Sequence, residues 1–116
     1  MGVVLKQKRI EKPWGYEIIW AQTKDYVGKL LHINAGHRLS KQYHTQKEET
    51  VYVLSGILYD VDEFDTVQQF KTGDSFHVAP GQIHRFQAWA EAVDFIEVST
   101  NHLEDVVRLD DDYKRT

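Results

Sequence analysis

The chain has 116 residues and contains no cysteine, only two prolines and only one methionine. The missing cysteine excludes disulfides, thiolate metal sites and cysteine nucleophiles, and leaves histidine, carboxylate and amide groups as possible metal ligands. Long apolar runs are missing as well. The opening segment MGVVLKQKRIEK has a single four-residue apolar run. That run is too short for a secretion signal or a membrane span.

Clusters of positive charge are also missing, and the net charge is −4. This balance disfavours nucleic acid as a partner. The hydrophobic fraction of 41% is typical of a globular protein. We therefore expect one domain over residues 1–116, in a cytoplasmic protein that binds a small molecule rather than nucleic acid or a membrane.

Short apolar or alternating segments recur along the chain, and turn residues such as Ser55-Gly56 and Pro80-Gly81 separate most of them. This pattern predicts an all-β fold, either a sandwich or a small barrel. Only the tail differs: Asn101 and Glu104 have the spacing of a helix cap and predict a short helix that ends near Arg108. The predicted strands are 17–20, 28–33, 38–44, 50–55, 57–61, 66–70, 75–78, 84–88 and 92–98.

One predicted strand carries an unusual polar face. Arg38, Ser40, Gln42 and His44 lie two residues apart, so their side chains share one side of the strand. Unpaired polar groups are costly to bury, so this face cannot simply pack against an apolar core. It is expected to line the interior of a barrel that holds a ligand.

The same region has the donor types of a metal site. Gln42 and His44 point the same way, and the following turn can return either Glu48 or Glu49 toward them. His84 would come from a distant strand, aimed by the turn at Pro80-Gly81. Two imidazoles and a carboxylate suit Zn, Mn, Fe, Co or Ni, and an amide oxygen is a weaker ligand.

The segment from Gly36 to Gly56 reads G-x5-Q-x-H-x4-E-x6-G and resembles the first motif of the cupin superfamily. The stretch from Gly73 to His84 is similar to the second. The resemblance implies a double-stranded β-helix, or jelly-roll barrel. By that motif Glu49, rather than Glu48, joins Gln42, His44 and His84 as a metal ligand.

A closer resemblance is to the C-terminal, type II mannose-6-phosphate isomerase domain of bifunctional mannose-1-phosphate guanylyltransferases, here as a stand-alone domain. The matching segments include KPWGYE at 12–17, PGQIHR at 80–85 and EDVVR at 104–108. The resemblance implies an isomerase of mannose 6-phosphate and fructose 6-phosphate that works through a metal-stabilised enediolate. It also implies one divalent ion, with Zn²⁺ expected first, and a homodimer. The chain departs from the family pattern at Lys47, an arginine in many relatives, and at Thr50-Val51, where the family usually has His-Trp.

Isomerisation needs a base near the carbonyl carbons, and Glu97 is our first candidate, with His32 the second. A sugar phosphate needs cations, and Arg38, Arg85 and Arg108 are the candidates. Because Arg85 directly follows His84, strand alternation favours Arg38 over Arg85. Two alternatives remain: a metal cupin that acts on another small polar substrate as an epimerase, oxygenase or lyase, or a non-catalytic cupin that binds a sugar or metal.

Overall fold

A computed structural model describes residues 2–115, and these residues form eleven β-strands and no helix. All strand pairs are antiparallel. The strands are β1 (Lys8–Lys12), β2 (Gly15–Gln22), β3 (Val27–Ile33), β4 (Lys41–Tyr43), β5 (Glu49–Ser55), β6 (Ile57–Val61), β7 (Val67–Lys71), β8 (Ser75–Val78), β9 (Arg85–Gln87), β10 (Val93–Ser99) and β11 (Val107–Asp110).

The strands form three sheets. The largest has six strands in the order β1-β2-β3-β10-β5-β8. A second sheet has the order β7-β6-β9, and β11 pairs with β4 in a third. Backbone hydrogen bonds between Gln42 and His84, both 2.9 Å, join β4 to the residue that directly precedes β9. The smaller sheets thus form a second layer that faces the six-stranded sheet.

The core lies between the layers and follows the alternation of the strands. In β5, Val51 and Val53 are fully buried while their neighbours Tyr52 and Leu54 are exposed. Phe86 and Phe95 contact each other edge to face at 5.7 Å in the middle of the core. Removing such apolar surface from water supplies most of the driving force for folding.

Gly56 marks the junction between β5 and β6. Its φ is +81°, and a Cβ at this position would lie 2.5 Å from the carbonyl oxygen of Ala92. Both the backbone conformation and the close approach require glycine. This explains the glycine that ends the sequence motif containing the candidate metal ligands.

The all-β prediction is confirmed, and each of the nine predicted strands has an observed counterpart, with bounds shifted by up to three residues. The sequence patterns did not reveal β1 or β11. The described residues also contain no helix of the length and apolarity needed to cross a membrane.

The predicted C-terminal helix is wrong. Residues 101–106 form turns, and Val107 and Arg108 pair with Tyr43 and Gln42 of β4. A helix this short has little intrinsic stability. Pairing with an open strand edge, together with the hydrogen bonds that Asp105 makes, outweighs the capping signal of Asn101 and Glu104.

The outer face of the six-stranded sheet carries several exposed apolar side chains. Trp20, Tyr52, Leu54 and Val98 are each between 37% and 47% exposed. Such a face is suited to contact with a second copy of the chain. The homodimer stays a prediction.

Candidate metal centre

Three buried side chains from separate parts of the chain converge inside the barrel. His44 directly follows β4, Glu49 begins β5 and His84 precedes β9. The Nε2 atoms of His44 and His84 lie 3.6 and 3.5 Å from Oε1 of Glu49. The candidate ligand atoms of the three residues all lie within 4.8 Å of one another. The chain thus contains a His-Glu-His group that can bind a metal ion.

Hydrogen bonds fix both imidazole rings in the orientation that a metal ligand needs. Nδ1 of His44 donates to the carbonyl oxygen of Asp105 at 2.5 Å, and Nδ1 of His84 donates to that of Gln82 at 3.0 Å. Both Nε2 atoms are buried and have no hydrogen-bond partner among the described residues. Leaving two buried nitrogens unsatisfied is costly, so this arrangement fits a cation between them.

The environment keeps the ring of His84 neutral. Burial lowers the pKa of His84 to about 4, despite the opposing hydrogen bond to Gln82. A neutral imidazole presents a lone pair, as metal coordination requires. The chemistry of the donor set therefore agrees with its geometry.

Asp105 fixes the turn that connects His44 to Glu49. Its carboxylate accepts hydrogen bonds from the backbone N–H groups of Thr45, Gln46 and Lys47 at 2.7–3.0 Å. These bonds hold the pKa of Asp105 well below its usual range, and the bond from Thr45 has the largest effect. Sequence reasoning missed Asp105, because it lies 60 positions from the turn that it holds.

Gln42 lies beside the three ligands but is not free to move. Its backbone pairs with that of His84, and its Oε1 accepts a hydrogen bond from Ser40 at 2.6 Å. A carbonyl oxygen has two lone pairs, so the bond from Ser40 leaves one for a cation. On the polar face predicted for this strand, Ser40 and Gln42 are therefore partners of each other, and Nε2 of His44 is left for a ligand.

Lys47 connects Glu49 to a second buried carboxylate, that of Glu97. Its Nζ lies 3.1 Å from Oε2 of Glu49 and 2.8 Å from Oε1 of Glu97. Burial acts to raise the pKa of Glu49, but the neighbouring groups His44, Glu97 and Lys47 outweigh it and lower the pKa. Burial and the negative charge of Glu49 raise the pKa of Glu97.

These groups line a cavity of about 110 Å³. Its wall also includes Trp14, Leu31 and Phe86, which give it an apolar side. Charged side chains dominate the remainder of the wall. They are Lys12, Glu17, Lys29, Lys47, Glu49, Glu97, Asp105, Arg108 and Arg115.

Of the candidate arginines, the structure brings only Arg108 to this cavity. Arg38 forms a two-pronged ion pair with Asp112 at 2.7 and 2.8 Å. Arg85 is buried, donates to the carbonyl oxygen of Leu39 and pairs with Asp110. Neither side chain lines the cavity. The regular strand begins at Lys41, so alternation along it does not extend to Arg38.

Of the two candidate bases, Glu97 lies in the cavity and His32 does not. His32 pairs with Asp94 at 2.7 Å and stacks on Tyr16. It alternates with the buried residues Leu31 and Ile33 of β3 and therefore faces away from the core. The parity of β3 alone could have placed His32 outside the barrel.

The sequence pattern identifies the family. A family model described as the mannose-6-phosphate isomerase C-terminal domain matches residues 3–111. The chain belongs to this family. A comparison with curated proteins gave no match.

Solved structures show that this family member has a cupin fold. A cupin-like protein from Thermotoga maritima has a TM-score of 0.73 and 17% identity, and the match covers 83% of this chain and 76% of that protein. The polyketide cyclase RemF from Streptomyces resistomycificus has a TM-score of 0.78, 14% identity and coverages of 94% and 84%. A cupin-superfamily sugar phosphate isomerase from Silicibacter pomeroyi has a TM-score of 0.64, 20% identity and coverages of 73% and 59%.

Proposed function

We propose that this cupin is a metal-dependent sugar-phosphate isomerase that interconverts mannose 6-phosphate and fructose 6-phosphate. The observation that carries the proposal is the convergence of His44, Glu49 and His84 beside a cavity whose wall includes His44, Glu49 and Glu97. The family match and the similarity to a solved sugar phosphate isomerase support it.

We propose Zn²⁺ as the metal, held by His44, Glu49 and His84 with Gln42 as the fourth ligand. Two neutral imidazoles, a neutral amide and one carboxylate would leave a formal charge of about +1 at such a site. A bound Zn²⁺ supplies Lewis acidity, which polarises a carbonyl group of the substrate. The unpartnered Nε2 atoms and the remaining lone pair of Gln42 are the features that fit this ion.

Glu97 is the proposed base that moves a proton between C1 and C2 of the sugar. It lies on β10, the strand next to β5, so its carboxylate and that of Glu49 face the same cavity. The 2.8 Å bond from Lys47 fixes the carboxylate of Glu97 in place. A positioned carboxylate within reach of the carbon-bound proton is what general-base catalysis requires.

The departure from the family at Thr50-Val51 does not remove a group from the cavity. Thr50 is exposed, and its hydroxyl lies 3.3 Å from Nδ1 of His77 on the outer face of the sheet. Val51 is fully buried in the apolar core. A histidine at position 50 would point outward, so its loss is compatible with isomerisation.

The cavity volume favours a second candidate, a cupin that acts on a smaller polar substrate. A volume of about 110 Å³ is below the range of roughly 300–1,000 Å³ that is usual for ligand pockets. A surface depression next to the cavity shares Leu103 and Asp105 with it and adds about 520 Å³. A hexose phosphate whose two ends contact the wall of the inner space would therefore extend part of its length into this depression, whereas a smaller substrate would fit in the inner space alone.

A coupled assay with mannose 6-phosphate and fructose 6-phosphate tests the proposal. The purified protein is loaded with Zn²⁺ and its metal content is measured before the assay. We expect turnover in both directions, lost in His84→Ala and retained in His77→Ala, which alters an exposed histidine. A protein that holds one metal ion per chain and isomerises neither sugar would contradict the proposed reaction.

A further inference from the structure

The cavity has a second charged region, which the metal-binding group does not use. Lys12, Lys29, Arg108 and Arg115 all line the cavity wall. They come from β1, β3, β11 and the C-terminal segment, so the fold assembles them from distant parts of the sequence. We call these four residues the cationic pole.

Charge compensation differs between Lys47 and the two lysines of the pole, whereas Arg115 is already paired with Asp111 at 2.8 Å. Lys47 donates a 2.8 Å hydrogen bond to Oε1 of Glu97, a distance typical of charge-assisted hydrogen bonds, and forms an ion pair with Oε2 of Glu49 at 3.1 Å. Glu17, by contrast, lies 3.9 Å from Nζ of Lys12 and 3.5 Å from Nζ of Lys29. One carboxylate thus serves two ammonium groups at long range.

Lys29 shows the imbalance most clearly. Lys29 is only 8% exposed. Among the described residues, its ammonium group makes one hydrogen bond, the 3.5 Å contact with Glu17. An ammonium has three donors, and a buried charge with unused donors is costly. An anion in the cavity would use those donors.

The four cations are close enough to affect one another. Burial lowers the pKa of Lys12; Glu17 acts to raise that pKa, whereas Lys29, Arg115 and Arg108 lower it further. Mutual repulsion of this kind is relieved when an anion binds between the charges. The interaction agrees with the shared position of these residues on the cavity wall.

Sheet topology places the pole at a defined distance from the metal-binding group. Lys29 lies on β3 and Glu49 on β5, with β10 between them. Two strand spacings separate them, or roughly 10 Å. Glu97, the proposed base, lies on the intervening strand directly opposite Lys29. A hexose 6-phosphate carries its carbonyl and its phosphate at opposite ends of the molecule and can extend between two such sites.

We propose that the cationic pole, composed of Lys12, Lys29, Arg108 and Arg115, binds the phosphate group of the substrate. This inference rests on the proposed function, since it places the carbonyl end of the sugar at the metal-binding group. It replaces Arg38 and Arg85 in the phosphate role. Neither Arg38 nor Arg85 lines the cavity.

Calorimetric titration with inorganic phosphate tests the pole without requiring turnover. Lys12→Gln and Arg115→Gln are suitable variants, because their side chains are 27% and 24% exposed and their loss should leave the fold intact. Each change is expected to weaken phosphate binding about tenfold. Arg9→Gln is the matched control, since it removes an exposed cation that does not line the cavity. It should bind phosphate as the unmodified protein does.

The titration is made on the zinc-loaded protein and repeated after chelation, because a metal could itself bind phosphate. The claim that the pole binds phosphate would be wrong if Lys12→Gln and Arg115→Gln bound phosphate as tightly as the unmodified protein does. It would also be wrong if the unmodified protein bound no phosphate at millimolar concentration. A hexuronic acid that binds more tightly than mannose 6-phosphate would show that the pole takes carboxylates instead. If phosphate binds at the pole but mannose 6-phosphate is not isomerised, the proposed reaction is wrong and the assignment of the pole as an anion site is retained.

Discussion

Nδ1 of His44 donates a hydrogen bond to the carbonyl oxygen of Asp105, a residue 61 positions later in the chain. The C-terminal segment therefore orients one candidate metal ligand directly. The side chain of Asp105 at the same time holds the turn between His44 and Glu49. One residue outside the metal-binding group thus controls the geometry of two of its members.

Replacing Asp105 with alanine should weaken metal binding without removing a ligand. The turn between His44 and Glu49 would lose three hydrogen bonds to its backbone N–H groups, while the backbone carbonyl that orients the ring of His44 would remain. Loss of such supporting contacts typically costs about 10- to 100-fold in metal affinity. Competition with a zinc-binding dye measures the affinity, and Glu104→Gln, which alters an exposed neighbour, is the control. Unchanged affinity in Asp105→Ala would show that the turn holds its shape without this carboxylate.

Replacing Glu97 with glutamine should abolish most of the isomerase activity and leave the metal in place. Glutamine has nearly the same shape but cannot accept the proton, so kcat should fall by about 10²- to 10⁴-fold. The measurement is kcat with mannose 6-phosphate at equal zinc content. Glu48→Gln, at an exposed side chain in the turn before β5, should retain full activity. Full turnover in Glu97→Gln would remove this residue from the mechanism.

Asp60 should make folding stability depend on pH. Burial raises the pKa of Asp60 to about 7, although the N–H of Arg85 donates to its carboxyl group. Between about pH 4 and pH 7 the unfolded chain has released this proton while the folded chain retains it, so stability falls as the pH rises through this window.

The variant Asp60→Asn removes that titration. Between pH 5 and pH 8 the unfolding free energy of the unmodified protein should therefore fall by about 1–3 kcal/mol more than that of Asp60→Asn. Urea unfolding at the two pH values measures the difference, with Glu63→Gln, an exposed neighbour, as the control. A parallel fall in stability for Asp60→Asn and the unmodified protein would show that another group dominates.

Local patterns were sufficient to predict most of the fold. Alternation in β5 and β10, with turn residues such as Gly56 between strands, indicated an all-β protein. The resemblance to the two cupin motifs also selected Glu49 over Glu48 and joined it to His44 and His84, and these three side chains converge in the structure. The strand signal depends on residues within one strand or turn, whereas the ligand signal depends on recognising two separate motifs.

Features that depend on distant contacts escaped the sequence patterns. The tail pairs with β4 as strand β11, and Arg115 reaches the cavity from the C-terminal end. The tail segment has no hydrophobic periodicity that would predict either the strand or the position of Arg115. Lys29 is different, because it alternates with Leu31 and Ile33 on the buried side of β3. Its parity could have indicated a charged side chain inside the barrel.

The most direct test of the central claim is anomalous diffraction from crystals of the zinc-loaded protein. We predict one zinc ion per chain, about 2.0–2.2 Å from Nε2 of His44, Nε2 of His84 and a carboxylate oxygen of Glu49. Zinc bound only elsewhere on the molecule, or no ion between these three side chains after loading, would contradict the account.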